Sequence, residues 1–194
     1  NAVQITGRNG SSTYTISANQ ATYLGTIAVD ASNGEVSTQV AWGAARKCGV
    51  WNAYNRLPIF LKCGDSTASW TPAGATFGAS NANANLYTQV LVGLQEEVCE
   101  AIFTQNISTS IASQSVVTLG IGVNSTTVAS GLQGFTGGTL SGGAPLTNLA
   151  MATARHTFHP TIGINKLQCL EKLTNAGTPQ GGEEDMLMLA MWRG

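Results

Sequence analysis

Apolar and polar residues alternate along most of this chain with the period of a strand. Leu57, Ile59, Leu61 and Cys63 are interleaved with Pro58, Phe60 and Lys62, so one set points to a core and the other away from it. Pro58 has no backbone donor, which puts that strand at an edge or starts it there. Ser11–Ser17 and Thr22–Val29 are rich in Thr, Tyr, Ile and Val, residues that suit a half-buried pleated surface. Further strands are predicted over Leu86–Val92, Val98–Thr104, Ser115–Val123, Leu149–Phe158 and Met186–Trp192. Asn33-Gly34 is a turn dipeptide.

One segment departs from this period. Over Val36–Arg56, apolar residues fall at Val40, Ala44, Cys48, Trp51 and Tyr54, near helical spacing, although Gly43 and Gly49 weaken it. The expectation is one short amphipathic helix laying Trp51 and Val40 against a sheet. Gly134–Pro145, with two Gly-Gly pairs, reads as a loop or arm, and Asn175–Gly182 as a second loop. Strands recur on both sides of each loop, and no repeat is visible. The sum is an all-β, antiparallel sandwich or jelly roll with one helix, in a single domain over 1–194.

Composition changes that picture in one respect. Hydrophobic residues make up 43% of the 194, as in globular chains, but charged residues only 10%, against a typical value of about 25%. Gly, Ala, Ser, Thr and Asn fill the gap. Such side chains enter a subunit contact without the desolvation cost of Lys or Glu. A chain with few charges is suited to close neighbours. Its net charge of −1 gives no reason to expect nucleic acid or an anionic membrane as partner. No apolar run is long enough to span a bilayer. The start at Asn1, without Met, suggests processing or excision from a longer chain. Cys48, Cys63, Cys99 and Cys169 are widely spaced and read as free thiols, which fits a reducing cytoplasm.

Candidate chemistry is sparse. His156-x-x-His159 would point to opposite faces of a strand, and no Cys or carboxylate lies nearby to complete a metal site. Glu96, Glu97 and Glu100 form one acidic cluster, and Glu183, Glu184 and Asp185 another. A glycosidase needs two carboxylates facing each other across a sugar, and a solvated turn explains each cluster better. The Asp30–Glu35 segment lacks the donors of a calcium loop. Gly120-x-Gly122 lacks the third glycine of a dinucleotide fingerprint, and no G-x-S-x-G elbow is present. Asn106-Ile107-Ser108 and Asn124-Ser125-Thr126 match the glycosylation acceptor, which matters only in a secretory pathway. Trp42, Trp51, Trp70 and Trp192 are more often core residues than sugar platforms. Trp70, in the polar Ser69–Pro72 setting, is the one least expected to be buried. The residues nominate no catalytic, cofactor-binding or metal-binding group.

Several phrases recur in order: Tyr23-Leu24-Gly25-Thr26-Ile27, Trp51-Asn52-Ala53-Tyr54-Asn55-Arg56, Asp65–Trp70, Gly93-Leu94-Gln95-Glu96-Glu97, Gly120–Thr127 and Ala154-Arg155-His156. Together these are similar to β-rich virion structural proteins of tailed bacteriophages, of the tail-fibre and head-fibre type. The resemblance spans Tyr23 to His159; Ile162–Gly194 lies outside it and either closes the sandwich or reaches a neighbour. It implies a β-sandwich that trimerises or docks on a larger particle, assembled in the bacterial cytoplasm. Its partners would be other copies of itself, other virion proteins and a host surface receptor or glycan, with no cofactor and no catalysis. A capsid decoration protein that contacts only virion subunits is a second reading, and a polysaccharide-degrading tail enzyme a third.

Overall fold

The computed structural model describes residues 3–6, 13–16, 22–29, 36, 38–109, 115–138, 148–174, 178–179 and 181–194. Its strands, in chain order, are β1 (Val3–Thr6), β2 (Thr13–Ile16), β3 (Gly25–Ile27), β4 (Thr38–Gln39), β5 (Arg46–Cys48), β6 (Val50–Asn52), β7 (Pro58–Cys63) and β8 (Gly78–Ala79). They continue with β9 (Tyr87–Val92), β10 (Cys99–Thr109), β11 (Ser115–Val123), β12 (Ser130–Gly138), β13 (Asn148–Phe158), β14 (Gly163–Thr174), β15 (Thr178–Pro179) and β16 (Met186–Arg193). Among the described residues the only helical element is a 3-10 turn at Ser80–Ala82.

Hydrogen bonds link the strands in the order β4-β5-β9-β14-β11-β12-β13-β10-β16-β7, with β8 beside β14 and β15 beside β10. Pairing is antiparallel except between β5 and β9. The path folds into two packed layers, with β4, β5, β9, β14 and β11 in one and β13, β10, β16 and β7 in the other. β12 joins them. One edge pairs with β11 at Ser130 and over Gly134–Gly138, with a register shift between, and the other meets β13 at Leu132↔Arg155; Gly131 lies at φ +70°. At the opposite margin the chain just after β4 reaches β7: Lys62 N–H donates to the Val40 carbonyl, Gly43 N–H to that of Lys62, and Gly64 N–H to that of Gly43.

The core lies between the layers and follows the period of two. Cys99, Ala101, Phe103, Gln105 and Ile107 of β10 are buried while the residues between them are half-buried. Met186, Met188, Ala190 and Trp192 of β16 repeat the pattern, and Val117, Leu119, Ile121, Leu167 and Cys169 face them from the other layer. Phe103 sits in register with Ala154 on one side and Met188 on the other, the small alanine and the flexible methionine both accommodating the ring. All four cysteines are free and buried.

Three expectations are corrected. Val36–Arg56 forms no helix: β4, β5 and β6 occupy it. Gly43 at φ +146° and Ala45 at φ 50° break the backbone twice, and pairing with β9 and β3 satisfies groups that a helix would have bonded internally. Trp51 is buried as expected, from a strand, but Val40 is exposed. The glycine-rich arm is strand as far as Gly138, because glycine is the residue that lets β12 pack close to β13; 139–145 lie outside the described residues. Of the Asn175–Gly182 loop, Thr178–Pro179 pair with β10 while 175–177 and 180 lie outside. Asn33-Gly34 also lies outside, flanked by an antiparallel bridge between Val29 and Val36.

Other expectations hold. β7 begins at Pro58, and β2, β3, β9, β10, β11, β13 and β16 fall within or around the predicted strands. Ile162–Gly194 completes the sandwich: β14 lies at the middle of one layer and β16 between β10 and β7 in the other.

A Cβ on Gly134 would fall inside the Thr153 backbone, whereas one on Gly78 would meet nothing within 4 Å. Gly134→Ala should therefore cost about 1–3 kcal/mol through forced backbone movement, and Gly78→Ala should stay within about 0.5 kcal/mol of the parent. Urea unfolding of the two variants side by side checks this.

Candidate assembly surface and buried polar anchor

Three turns meet at one end of the sandwich: 53–57 before β7, 93–98 between β9 and β10, and 159–162 between β13 and β14. The registers Cys99↔Phe158, Arg193↔Pro58 and Gly163↔Val92 bring them together. Across this end lies the two-stranded ribbon of β3 and β6. Its anchor is Trp51, buried on the 93–98 turn, where Gly93 leaves room for the indole. Tyr23 stacks on Trp51 at 5.8 Å, and the Arg56 guanidinium sits 4.9 Å over its ring.

The ribbon and turns expose several large apolar side chains among polar ones such as Asn52, Asn55, Gln95 and Thr161. Leu24 is 71% exposed, Ile27 63%, Tyr54 69% and Ile162 65%, with Leu57 and Val98 nearby. The charges here cancel within the chain: Arg56 pairs with Glu96 and with Glu97 (3.6 Å), and Arg193 with Glu97 (3.8 Å). Pairing within the chain leaves no net charge from these groups to repel a like surface, although covering the pairs would still cost desolvation.

At the far end, two carboxylates hold the long 64–86 connection. Glu171, at an inward position of β14, is buried and accepts from Trp70 Nε1 (2.9 and 3.0 Å), Ser80 Oγ (3.2 Å) and the Asn81 N–H (2.9 Å). Asp65 accepts from the Thr67 N–H (2.8 Å) and hydroxyl (2.7 Å) and from the side-chain amides of Asn81 (3.1 Å) and Asn83 (3.3 Å). Burial pushes the Glu171 carboxyl up, a shift that the bonds from Asn81, Trp70 and Ser80 only partly offset. For Asp65 burial also pushes upward, but the bonds from Thr67, Asn81 and Asn83 outweigh it and hold the carboxyl below its ordinary value. Trp70 is thus a buried strut, contrary to the exposure its polar neighbours suggested.

The sequence candidates are dispersed. His156 stacks on Phe158 at 4.9 Å, with its pKa lowered by burial, while His159 is exposed in the following turn. Glu100 pairs with Arg155. Asp185 accepts from the Asn106 amide at 2.7 Å, and Glu183 and Glu184 are exposed. Glu100 and Asn106 are six residues apart on β10, about 20 Å at strand rise, so the two acidic clusters do not face one another across a sugar. Gly120 and Gly122 lie within β11, and Asn106 on β10, while Asn124 opens the turn after β11. Trp192 is buried, and half-buried Trp42 donates to the Met186 carbonyl at 3.0 Å. Asp30–Glu35 lie outside the described residues. Among the described residues no group of three or more His, Cys, Asp or Glu is placed to hold a metal ion, and no helix is long and apolar enough to cross a membrane. Reading the residues singly missed Glu171. The signal was there: Leu167, Cys169, Glu171 and Leu173 share one parity, which puts the acid on the core side.

No family model and no curated protein matches the chain. Among solved structures it is similar to the Eiger TNF of S. frugiperda, at 8% identity, over 70% of this chain and 91% of that one, with a TM-score of 0.43. That likeness is too loose to carry an argument.

Because folded Glu171 keeps its proton to higher pH than the unfolded chain does, its contribution is full below the unfolded pKa. It declines as pH rises toward the raised folded value. Asp65 acts in the opposite sense, its contribution fading as pH falls through the lowered folded value. Urea midpoints measured from pH 4 to pH 7 should show a falling component in the parent that Glu171→Gln removes.

Proposed function

We propose that this chain is a structural subunit of a tailed-bacteriophage particle, placed at the exposed part of a fibre or spike and working by assembly and host contact. The observation that carries the reading is the charge-neutral end built on Trp51. Leu24, Ile27, Tyr54 and Ile162 are large apolar side chains held in solvent by ordered strands and turns. Single exposed apolar residues are ordinary, but several at one end of a molecule suit a contact surface. The scarcity of charge along the chain and the phrase resemblance to phage virion proteins support the same reading.

The occupant we assign to that end is a second copy of the chain, in a homotrimer. Around a three-fold axis only the groups near the axis meet their own equivalents, so net charge on an end placed there would repel itself. Here each arginine already has a glutamate within the same chain. Copies held together would then act on a host surface jointly. Once one weak site is engaged the next contact is effectively intramolecular, and several weak contacts become a firm attachment.

Light scattering of the purified chain at low and high concentration should give the mass of three chains. Ile27→Asp, which puts a charge on the exposed side of the ribbon, should shift that mass to one chain while leaving the far-ultraviolet circular dichroism unchanged. A parent that is monomeric at every concentration would overturn the trimer and favour a decoration protein that finds its partners only on the particle.

A further inference from the structure

The layer containing β5, β9, β14 and β11 has an uneven charge distribution. Its strands carry Arg46, Lys47, Lys166 and Lys172, and their one acid, Glu171, is buried on the core side. None of the four cations is ion-paired among the described residues, whereas Arg56, Arg155 and Arg193 each have a glutamate. Lys47, Lys166 and Lys172 have the outward parity, while Arg46 shares that of the buried Cys48, so among the described residues the outer side of this layer carries three lysines and no acid.

Two of the lysines are brought together by register. Lys47 of β5 and Lys166 of β14 both lie opposite Gln89 of β9, giving a row Lys47–Gln89–Lys166 across three neighbouring strands. The two main chains are about 10 Å apart at ordinary strand spacing, close enough for both ammonium groups to reach one anion. Lys166 is fixed in place. Its Nζ donates to the Ala84 carbonyl at 3.2 Å and lies 3.9 Å over the Tyr87 ring, while its backbone N–H donates to Asn124 Oδ1 at 2.8 Å. Burial lowers its pKa and the neighbouring Lys47 charge lowers it further, a repulsion that a bound anion would relieve.

Beside Lys166 opens a cleft of about 460 Å³ lined by Asn124, Ser125, Thr126, Thr127 and Lys166. The turn that forms it is braced internally: Ser125 Oγ accepts from the Thr127 and Val128 N–H groups, and Asn124 N–H donates to the Lys166 carbonyl. The hydroxyls and amide on its rim match the hydroxyls of a polyol. The cleft is open and lined by polar groups, which suits a hydrated, hydroxyl-rich ligand and not an apolar one.

We infer that Lys47, Lys166 and the 124–127 turn form a binding site for an anionic saccharide, its acidic group held between the two ammonium groups and its hydroxyls on the Asn124–Thr127 rim. The biological source of such a ligand, a host surface glycan, rests on the function proposed above; the chemistry of the site does not.

Native electrophoresis of the full chain through gels containing polygalacturonate, a phosphorylated mannan, neutral dextran or poly-L-glutamate tests this. One or both anionic polysaccharides should retard the chain, showing whether the acid is a carboxylate or a phosphate, and dextran should not. The double variant Lys47→Gln/Lys166→Gln should weaken retardation at least tenfold, and Lys47→Glu should abolish it, both with the parent's thermal melt. Lys172→Gln, whose ammonium lies over Phe77, should retain it. Absence of retardation, retardation that survives the double variant, or equal retardation by poly-L-glutamate would overturn the site, the last pointing to an acidic protein segment. A trimer that ignores both polysaccharides would leave the assembly reading standing, and a monomer that binds them would do the reverse.

Discussion

A sheet of this size presents a row of unpaired N–H and C=O groups along each free margin, and every other feature of the molecule is arranged around disposing of them. The chain does so by closing the sheet on itself. On one side β12 joins β11 to β13. On the other, the segment after β4 reaches β7 through the hydrogen bonds of Val40, Gly43, Lys62 and Gly64. On the β7 side that closure is made, among the described residues, by three hydrogen bonds around Lys62 and Gly43.

The carboxylate of Glu171 has a corresponding role on the inside. Connecting β7 to β9 takes more than twenty residues, a length that would be costly to leave loose. Trp70, Ser80 and Asn81 converge on Glu171, and Asp65, Thr67, Asn81 and Asn83 on one another, so the connection is laced to the middle of β14. Burial raises the Glu171 pKa by more than its bonds from Asn81, Trp70 and Ser80 lower it, whereas at Asp65 the bonds from Thr67, Asn81 and Asn83 outweigh the effect of burial. This is polar architecture, with the carboxylates spent on holding a loop.

The few charges are sorted by place. At the ribbon end they are paired within the chain, and large apolar side chains are exposed around them. On the outer side of the β9–β14 layer the cations stand without acids, beside a cleft rimmed by hydroxyls. On the two proposals above, one surface would meet a second copy and the other an anion. The two lie on different parts of the molecule, so both can be occupied together.

The strand content, the buried alternation of β10 and β16, the free cysteines and the sandwich class were legible in the sequence, because a period of two and β-branched composition are local properties. Glu171 was legible too, through its parity with Leu167 and Cys169. The 36–56 segment was not: its apolar spacing is helical, and only pairing with β9 and β3, together with the left-handed backbone at Ala45, makes it strand. Nor was the burial of Trp70, whose partner is 101 residues away. The exposed end and the Lys47–Lys166 row are likewise products of register, since they gather side chains from distant strands and turns. The sequence by itself determined the strands with a clear period of two and the side chains they bury; the tertiary structure alone decided that 36–56 pleats, which margins meet and which surfaces are left uncovered, because hydrogen-bond closure and charge proximity depend on distances in space that no local pattern encodes.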